Sequence, residues 1–324
     1  MRKILVNAVS AKVGGARTVV ENFALDASLH KDIEFIFLCG FEKPNNVGEN
    51  INWIYKPKSG LSALVFTFFF SVYFYIKYNC DAIISFNNVN SIFPVKKITY
   101  FHQFKVFDSK CKDIKVFVYR LYYFLFCSDV VVLQTKYVKS LFESKFKNYI
   151  GRTEIVWPGV DELFILEQDY GVRKCNTVLV PYTDITSKHK NFLFVEEFAL
   201  KNPQVKVLVT AEGVSNIFNI EFIGIRNKNE LKELYASSKF VLFPSLIETI
   251  GLPIFESLLS KTCVISCKAD YIDSHKEEYS IGDELKVVSH VNDIDMSEFN
   301  FLNDYSYLVD SDWKEFIKVK LSEL

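Results

Sequence analysis

Residues 240–266 read FVLFPSLIETIGLPIFESLLSKTCVIS, and this stretch decides the fold. The apolar run FVLF is a buried strand that ends at Pro244 and Ser245, a loop carries Glu248, and Gly251, Leu252 and Pro253 open a helix that presents Glu256. CVISC, from Cys263, is the next strand. Strands that read as continuous apolar runs, with helices between them, belong to a parallel sheet covered on both faces.

The same alternation runs outward in both directions. Upstream lie TVLVP, NFLFVEEFAL, VKVLVT, EFIGI and ELKELYASS; downstream lies LKVVS. The first half repeats the pattern with KILVNAV, TVVENFALDASL, IEFIFL, INWIY, an apolar helix at Leu61 to Ile76, AIISF, KITYF, a helix around VFVYRLYYFLF, VVVLQ and EIVW. Between the halves, WPGVDELFILEQDYGVRKCN has no sustained period and reads as a linker. The expected fold is therefore α/β, with two doubly wound Rossmann-like domains over residues 1–165 and 166–303. A C-terminal helix over 304–324 is expected to be able to cross back to the first domain. Two such domains face a central cleft at the carboxyl ends of their strands, where ligands bind.

In the quoted stretch Glu256 follows Glu248 by eight residues, about two turns into the expected helix, and the amides of Thr249, Ile250, Gly251 and Leu252 are left free at its N-terminus. Free amides suit a diphosphate, and carboxylates suit sugar or ribose hydroxyls. In the first domain Gly14 and Gly15 precede a helix expected from Ala16 or Arg17 and permit close approach of a phosphate, although a plain turn is the commoner meaning of such a pair.

The stretch from Glu221, EFIGIRNKNELKELYASSKFVLFPSLIETIGLPIFESLLSKTCVIS, resembles the retaining, nucleotide-sugar-dependent glycosyltransferases of the GT-B fold, glycosyltransferase family 4 and its relatives. Further likeness comes from the Gly pair, YFHQ at Tyr100 to Gln103, VVVLQTKYVKSLF, IVWPGVD at Ile155 to Asp161 and HKN at His189 to Asn191; only the tail after about Cys267 is poorly matched. The resemblance implies that Glu256 holds the donor ribose, that Glu248 contacts the donor sugar, and that His102 sits at the reaction centre. It implies that Lys190 neutralises the diphosphate with help from the amides of Gly15 and the Ile250 to Leu252 loop. The family commonly has an Arg shortly before this lysine, where VPYTDITSKHKN has none, so Lys188 is the candidate substitute. Lys261 and Ile250 also depart from the family pattern, which has Gly and an aromatic residue there.

The implied activity is transfer of a sugar from a UDP- or GDP-type donor, with retention, to a hydroxyl of a lipid-linked or oligosaccharide acceptor in O-antigen, lipopolysaccharide or capsule synthesis. The alternatives are a catalytically inactive GT-B protein that binds partners in a polysaccharide-assembly complex, and a GT-B nucleotide-sugar epimerase or phosphorylase. No cofactor or metal is required in this reading. The Asp-x-Asp strings at Asp293 to Asp295 and Asp310 to Asp312 are expected to be solvated.

Composition sets the remaining bounds. At 324 residues, 49% hydrophobic and 24% charged, with a mean hydropathy of +0.11, the chain is globular but rich in apolar surface, not disordered. Residues 1–168 carry 21 Lys and Arg against 15 Asp and Glu, the rest 17 against 24, and residues 56–152 alone 15 against 5. Such a basic segment points to an anionic partner, a membrane surface or phosphate, or to a solvated face; nucleic acid is not expected. The apolar Leu61 to Ile76 run is 16 residues, short of the roughly 20 that span a bilayer, so it reads as a helix packed on a sheet with one side available to a membrane. The seven cysteines are scattered and read as reduced core residues, without the partners of a zinc site. With no signal-peptide pattern at the start, the expected location is cytoplasmic, peripheral at the inner face of the cell membrane.

Overall fold

The computed structural model describes residues 1–126, 128–166, 174–297, 299 and 301–321, without the side chains of Lys174 and Cys175. The chain divides into two compact units, one formed by Met1–Gly159 with Asp310–Leu324 and the other by Val160–Val309.

The first unit is built on β1 (Arg2–Ala8), β2 (Ile33–Cys39), β3 (Ile51–Tyr55), β4 (Ala82–Ser85), β5 (Lys97–Tyr100), β6 (Val130–Leu133) and β7 (Thr153–Ile155). The second is built on β8 (Lys174–Val180), β9 (Lys206–Val209), β10 (Ile220–Phe222), β11 (Ser238–Leu242), β12 (Val264–Cys267) and β13 (Leu285–Val288). The sheet orders are β3-β2-β1-β4-β5-β6-β7 and β10-β9-β8-β11-β12-β13. Every described pairing is parallel. Each sheet starts in its middle, runs to one edge and returns to build the other side. The strand order thus reverses between β1 and β4 and again between β8 and β11, and the loops leaving these strands diverge at their carboxyl ends.

The apolar strands are explained by burial on both faces. Ile4, Val6 and Ala8 join one core with Phe23, Phe35 and Phe37, while Leu5 joins Ile36, Ile83 and Phe66 on the other face. Each of these side chains except that of Ala8 contributes roughly 1.5–3 kcal/mol by leaving water. The first core is closed by the C-terminal segment: Trp313 is fully buried, 5.0 Å from the Phe23 ring and 5.7 Å from Phe86.

Several boundaries differ from expectation. The segment 304–324 is not one helix: a 3₁₀ turn at Ser306–Val309, a short α-helix at Trp313–Phe316 and a π turn at Ile317–Leu321 follow one another, and its last three residues lie outside the described ones. The first helix spans Gly14–Ala27, so the Gly pair is its opening turn instead of a loop before it. The helix after Glu248 spans Leu252–Leu259, which places Glu256 about one turn in, not two. The expected linker, 157–176, contains a 3₁₀ turn at Glu162–Phe164 and the start of β8, and its residues 167–173 lie outside the described residues. The Asp-x-Asp residues Asp293, Asp295, Asp310 and Asp312 are exposed, as expected, and two of them also bond the main chain: Asp293 accepts from the amides of Ser289 and His290, and Asp312 from that of Trp157. Short acidic side chains at loop ends cap turns for the same reason that they cap helices.

Of the cysteines, Cys39, Cys80, Cys263 and Cys267 are buried and free and Cys111 is half-buried and free; Cys127 and the Cys175 side chain lie outside the description.

Candidate functional site

In the second unit, the loops that leave β8 and β11 lie side by side at the point of strand reversal, and they carry most of the expected residues. The first loop, 181–191, ends in a 3₁₀ turn at Lys188–Lys190 and in Asn191, which is left-handed (φ 53°) and caps the Phe192–Lys201 helix. Asp184 shapes this loop by accepting from the hydroxyls of Thr186 and Ser187 and from the Thr186 amide. Those bonds, the Thr186 hydroxyl foremost, pull its carboxyl down to about 2. The second loop, 243–251, is fastened to the first: the Leu246 amide donates to the His189 carbonyl at 2.8 Å, and the Ser245 hydroxyl oxygen lies 3.3 Å from the same carbonyl.

Across this seam Lys190 Nζ meets Glu248 Oε1 at 2.5 Å, with 20% and 17% of the two side chains exposed. Ser245 Oγ donates to the same carboxylate oxygen at 2.7 Å. The ammonium also lies 5.2 Å from the centre of the Tyr182 ring and 5.7 Å from that of Phe243, so its charge is held from three sides. Lys188 is exposed and has no side-chain partner among the described residues.

Gly251 (φ +68°) turns the second loop into its helix, a conformation that costs any side-chain-bearing residue about 1–2 kcal/mol. Among the described residues the amides of Thr249, Ile250, Gly251 and Leu252 donate to nothing, so the helix start presents unused donors beside the ion pair. Glu256 accepts from the Tyr235 hydroxyl at 2.8 Å through Oε2. Although part of its surface is exposed, the burial around its carboxyl outweighs that hydrogen bond and raises its pKa to about 7.

The support for this loop comes from the helix at Asp270–Glu278, in the stretch where the family likeness fades. The Tyr271 hydroxyl donates to the Ser245 carbonyl at 2.9 Å, and His275 Nε2 lies 2.6 Å from the Ile250 carbonyl. Burial lowers the His275 pKa to about 4, so the ring is neutral at pH 7 and Nε2 carries the proton it donates. Ser245, Tyr235, Tyr271 and His275 are thus site residues that sequence reasoning missed. Only their spacing from Glu248 and Glu256 in the fold singles them out.

In the first unit, the expected residues lie at the carboxyl edge of β1, β4 and β5. Gly14 (φ +64°) opens its helix with no side-chain cap from Val13, and a Cβ built on it would meet nothing within 4 Å, so the approach to this helix start is open. Gly15 follows in the first turn. His102, just past β5, is gripped by Asn88: its amide donates to Asn88 Oδ1 at 2.7 Å, and Asn88 Nδ2 lies 3.3 Å from the ring Nε2. The first bond fixes which end of the Asn88 amide is oxygen. Nε2 is therefore the acceptor, which puts the ring proton on Nδ1, a buried atom without a partner among the described residues. Burial lowers the His102 pKa to about 4, so the imidazole is neutral at pH 7. Asn88, itself left-handed (φ 65°), is a further positioning residue that the sequence did not reveal.

The structure thus brings Lys190, Glu248, the Thr249–Leu252 amides and, one helical turn on, Glu256 onto the loops of one strand reversal. Among the described residues no group of three or more His, Cys, Asp or Glu side chains could hold a metal ion.

No protein-family model matches the sequence, and no curated protein matches it either. Solved structures that it is similar to include sucrose-phosphate synthase from Thermosynechococcus elongatus, at 13% identity over 90% of this chain and 87% of that one, with a TM-score of 0.67. WaaG, a glycosyltransferase involved in lipopolysaccharide biosynthesis, is 12% identical over 88% and 85%, with a TM-score of 0.64. Anabaena HepE in complex with UDP is 15% identical over 90% and 86%, with a TM-score of 0.61. These glycosyltransferases show the fold, and the GT-B class expected from the sequence is the class observed.

Proposed function

We propose that this chain is a retaining glycosyltransferase that takes its sugar from a nucleoside diphosphate donor. The observation that carries the reading is the seam at the second strand reversal, where a lysine, a carboxylate and a row of unused helix-start amides meet. In this reading the diphosphate displaces Glu248 from Lys190 and takes the ammonium and the amides as its counter-charges, so that neutralising the leaving group needs no metal. Glu248, released, faces the sugar hydroxyls, and Glu256, held by Tyr235, offers its other oxygen to the ribose. In the first unit, His102, neutral and gripped by Asn88, and the open helix start at Gly14 and Gly15 stand at the carboxyl edge of the sheet, and in this reading they serve the same reaction.

The anomeric carbon then loses its bond to the diphosphate oxygen and gains one to the acceptor oxygen on the same face, through an oxocarbenium-like state. The acceptor's hydroxyl proton passes to the departing diphosphate. UDP is the first donor nucleotide to test, since HepE has been captured with UDP and glucose and TarM with UDP; GDP is the second. A lipid-linked or oligosaccharide acceptor of surface polysaccharide synthesis, met at the cytoplasmic face of the membrane, completes the proposal.

The test is a panel of nucleotide sugars incubated with purified protein without acceptor, reading release of nucleoside diphosphate. Release from one donor family, lost in Lys190→Ala, supports the reading. Tight binding of a donor with no release, with or without acceptor extracts, would favour a protein that only binds.

A further inference from the structure

We propose that the first unit docks on an anionic lipid bilayer through the outward faces of its helices Gly60–Lys77 and Ile114–Leu125, lying in the membrane surface without crossing it.

The two helices cover the same face of the first sheet and touch one another, Phe68 stacking on Tyr122 with ring centres 5.8 Å apart. Ordinarily the outward side of such a helix is polar. Here it is not. On the second helix Ile114, Phe117, Leu121, Phe124 and Leu125 are 43–67% exposed, while Val116, Tyr119, Tyr122 and Tyr123 face inward. On the first, Leu61, Val65, Phe69, Tyr73 and Ile76 are 47–70% exposed at three- and four-residue spacing, and Phe93 lies 6.5 Å from Phe69. Ten large apolar side chains left this exposed on two touching helices are unusual on a protein that meets only water.

What surrounds the face indicates the occupant. Lys56 and Lys58 stand before the first helix and Lys77 at its end; Lys105, Lys110, Lys112 and Lys115 precede or open the second. Their acidic neighbours are engaged with the main chain: Asp108 accepts from the Lys110 amide at 2.9 Å and Asp113 from the Lys115 amide at 2.8 Å. The Arg120 guanidinium donates to the carbonyls of Val106, Cys111, Lys105 and Asp108, which ties the basic loop to its helix. An apolar face bordered by lysines matches the acyl boundary and the phosphates of an anionic leaflet.

The first helix has the composition of a membrane span, with 18 residues and a mean hydropathy of 1.5. Its inner side argues against crossing. The Thr67 hydroxyl is buried and lies within hydrogen-bond distance of the side-chain amides of Asn7 (3.2 Å) and Asn87 (3.1 Å), both buried at the sheet. Ser71 donates back to the Thr67 carbonyl, and the π turn at Phe66–Phe70 leaves the Phe68 carbonyl to accept from the Ile92 amide at 3.3 Å. Withdrawing the helix into a bilayer would take from the buried Asn7 side-chain amide the Thr67 oxygen that it bonds, and from Asn87 one of its partners. Both helices begin at the carboxyl edge of the sheet, the edge that carries Gly14 and His102, so docking on this face sets that edge beside the lipid. The proposal needs no assumption about the transferase reading.

The test uses the full purified chain with phosphatidylcholine vesicles, with and without phosphatidylglycerol, in sedimentation at low and high salt. We expect binding to the anionic vesicles to be about tenfold or more tighter than to neutral ones, and to weaken with salt. Phe117→Ser with Phe124→Ser, and separately Lys110→Glu with Lys112→Glu, should each weaken it by about tenfold or more. Unchanged thermal melting shows that the variants are folded, and UDP titration of the same preparations reports on the nucleotide site independently. Failure of the wild type to bind anionic vesicles at low salt overturns the proposal. So does a concentration-dependent dimer that the Phe117→Ser, Phe124→Ser variant dissociates, since a second copy would then cover the face. Retention in membranes after alkaline washing overturns it in favour of a spanning helix.

Discussion

Replacing Glu248 by Gln should make the protein bind UDP more tightly while it transfers sugar more slowly. In the nucleotide-free chain the Lys190 ammonium is bonded to Glu248 at 2.5 Å, in a position where about four-fifths of each side chain is withdrawn from solvent. A diphosphate that takes over this lysine must first break the pair. A charged hydrogen bond of this kind is worth roughly 1.5–3 kcal/mol net, and a neutral amide in its place about half as much. The diphosphate of the Gln variant therefore recovers on the order of 1 kcal/mol, or about fivefold in affinity. Transfer falls because the carboxylate that meets the sugar is gone. Isothermal titration with UDP, which carries no sugar, separates the two effects, and the gain should vanish when Lys190→Ala is added. Unchanged or weaker UDP binding by a folded Glu248→Gln protein would mean that Lys190 keeps its carboxylate when the nucleotide binds, and the proposed exchange of partners would be wrong.

Lys190→Ala should weaken UDP binding far more than Lys188→Ala, because Lys190 is held in the seam while Lys188 projects into solvent; equal small losses would assign the phosphates to the backbone amides. His102→Ala should lower turnover by about two orders of magnitude with little change in donor affinity, read by steady-state kinetics beside titration. Glu256 has a folded pKa raised to about 7, so its contribution to stability is fully present below its unfolded value near 4.5 and is lost as pH rises through about 7. Glu256→Gln, which copies the neutral form, should therefore gain in melting temperature over wild type at pH 8 compared with pH 5; a gap independent of pH would return that carboxyl to an ordinary pKa.

Much of the architecture could be read from apolar runs alone. KITY and VVVL are strands within one residue of expectation, because strands buried on both faces show no alternation to confuse with a helix, and the edge strand INWIY is β3 residue for residue. Element starts were less legible. The first helix begins at Gly14, which is left-handed (φ 64°), and residue order does not carry that backbone fact. Glu248 and Glu256 could be found by spacing, yet their partners could not: Ser245, Tyr235, Tyr271 and His275 are set by strand order and helix packing. Asn88 grips His102 from 14 residues upstream only because β4 and β5 are neighbours. The tail was expected to be able to return to the first unit, but the side chain that closes the core there, Trp313, has no local pattern to announce it, because its ring partners lie at the far end of the chain.

The most direct test of the account is calorimetric titration of UDP and GDP into the wild-type protein and Glu256→Ala. At pH 8, where the Glu256 carboxyl is ionised, at least one of the two nucleotides should bind the wild type, and Glu256→Ala, folded by its melting curve, should bind it more weakly by roughly 1.5–3 kcal/mol, the cost of leaving the ribose hydroxyls without a charged acceptor. Binding of neither nucleotide to folded wild-type protein, or equal affinity in the two proteins, would contradict it.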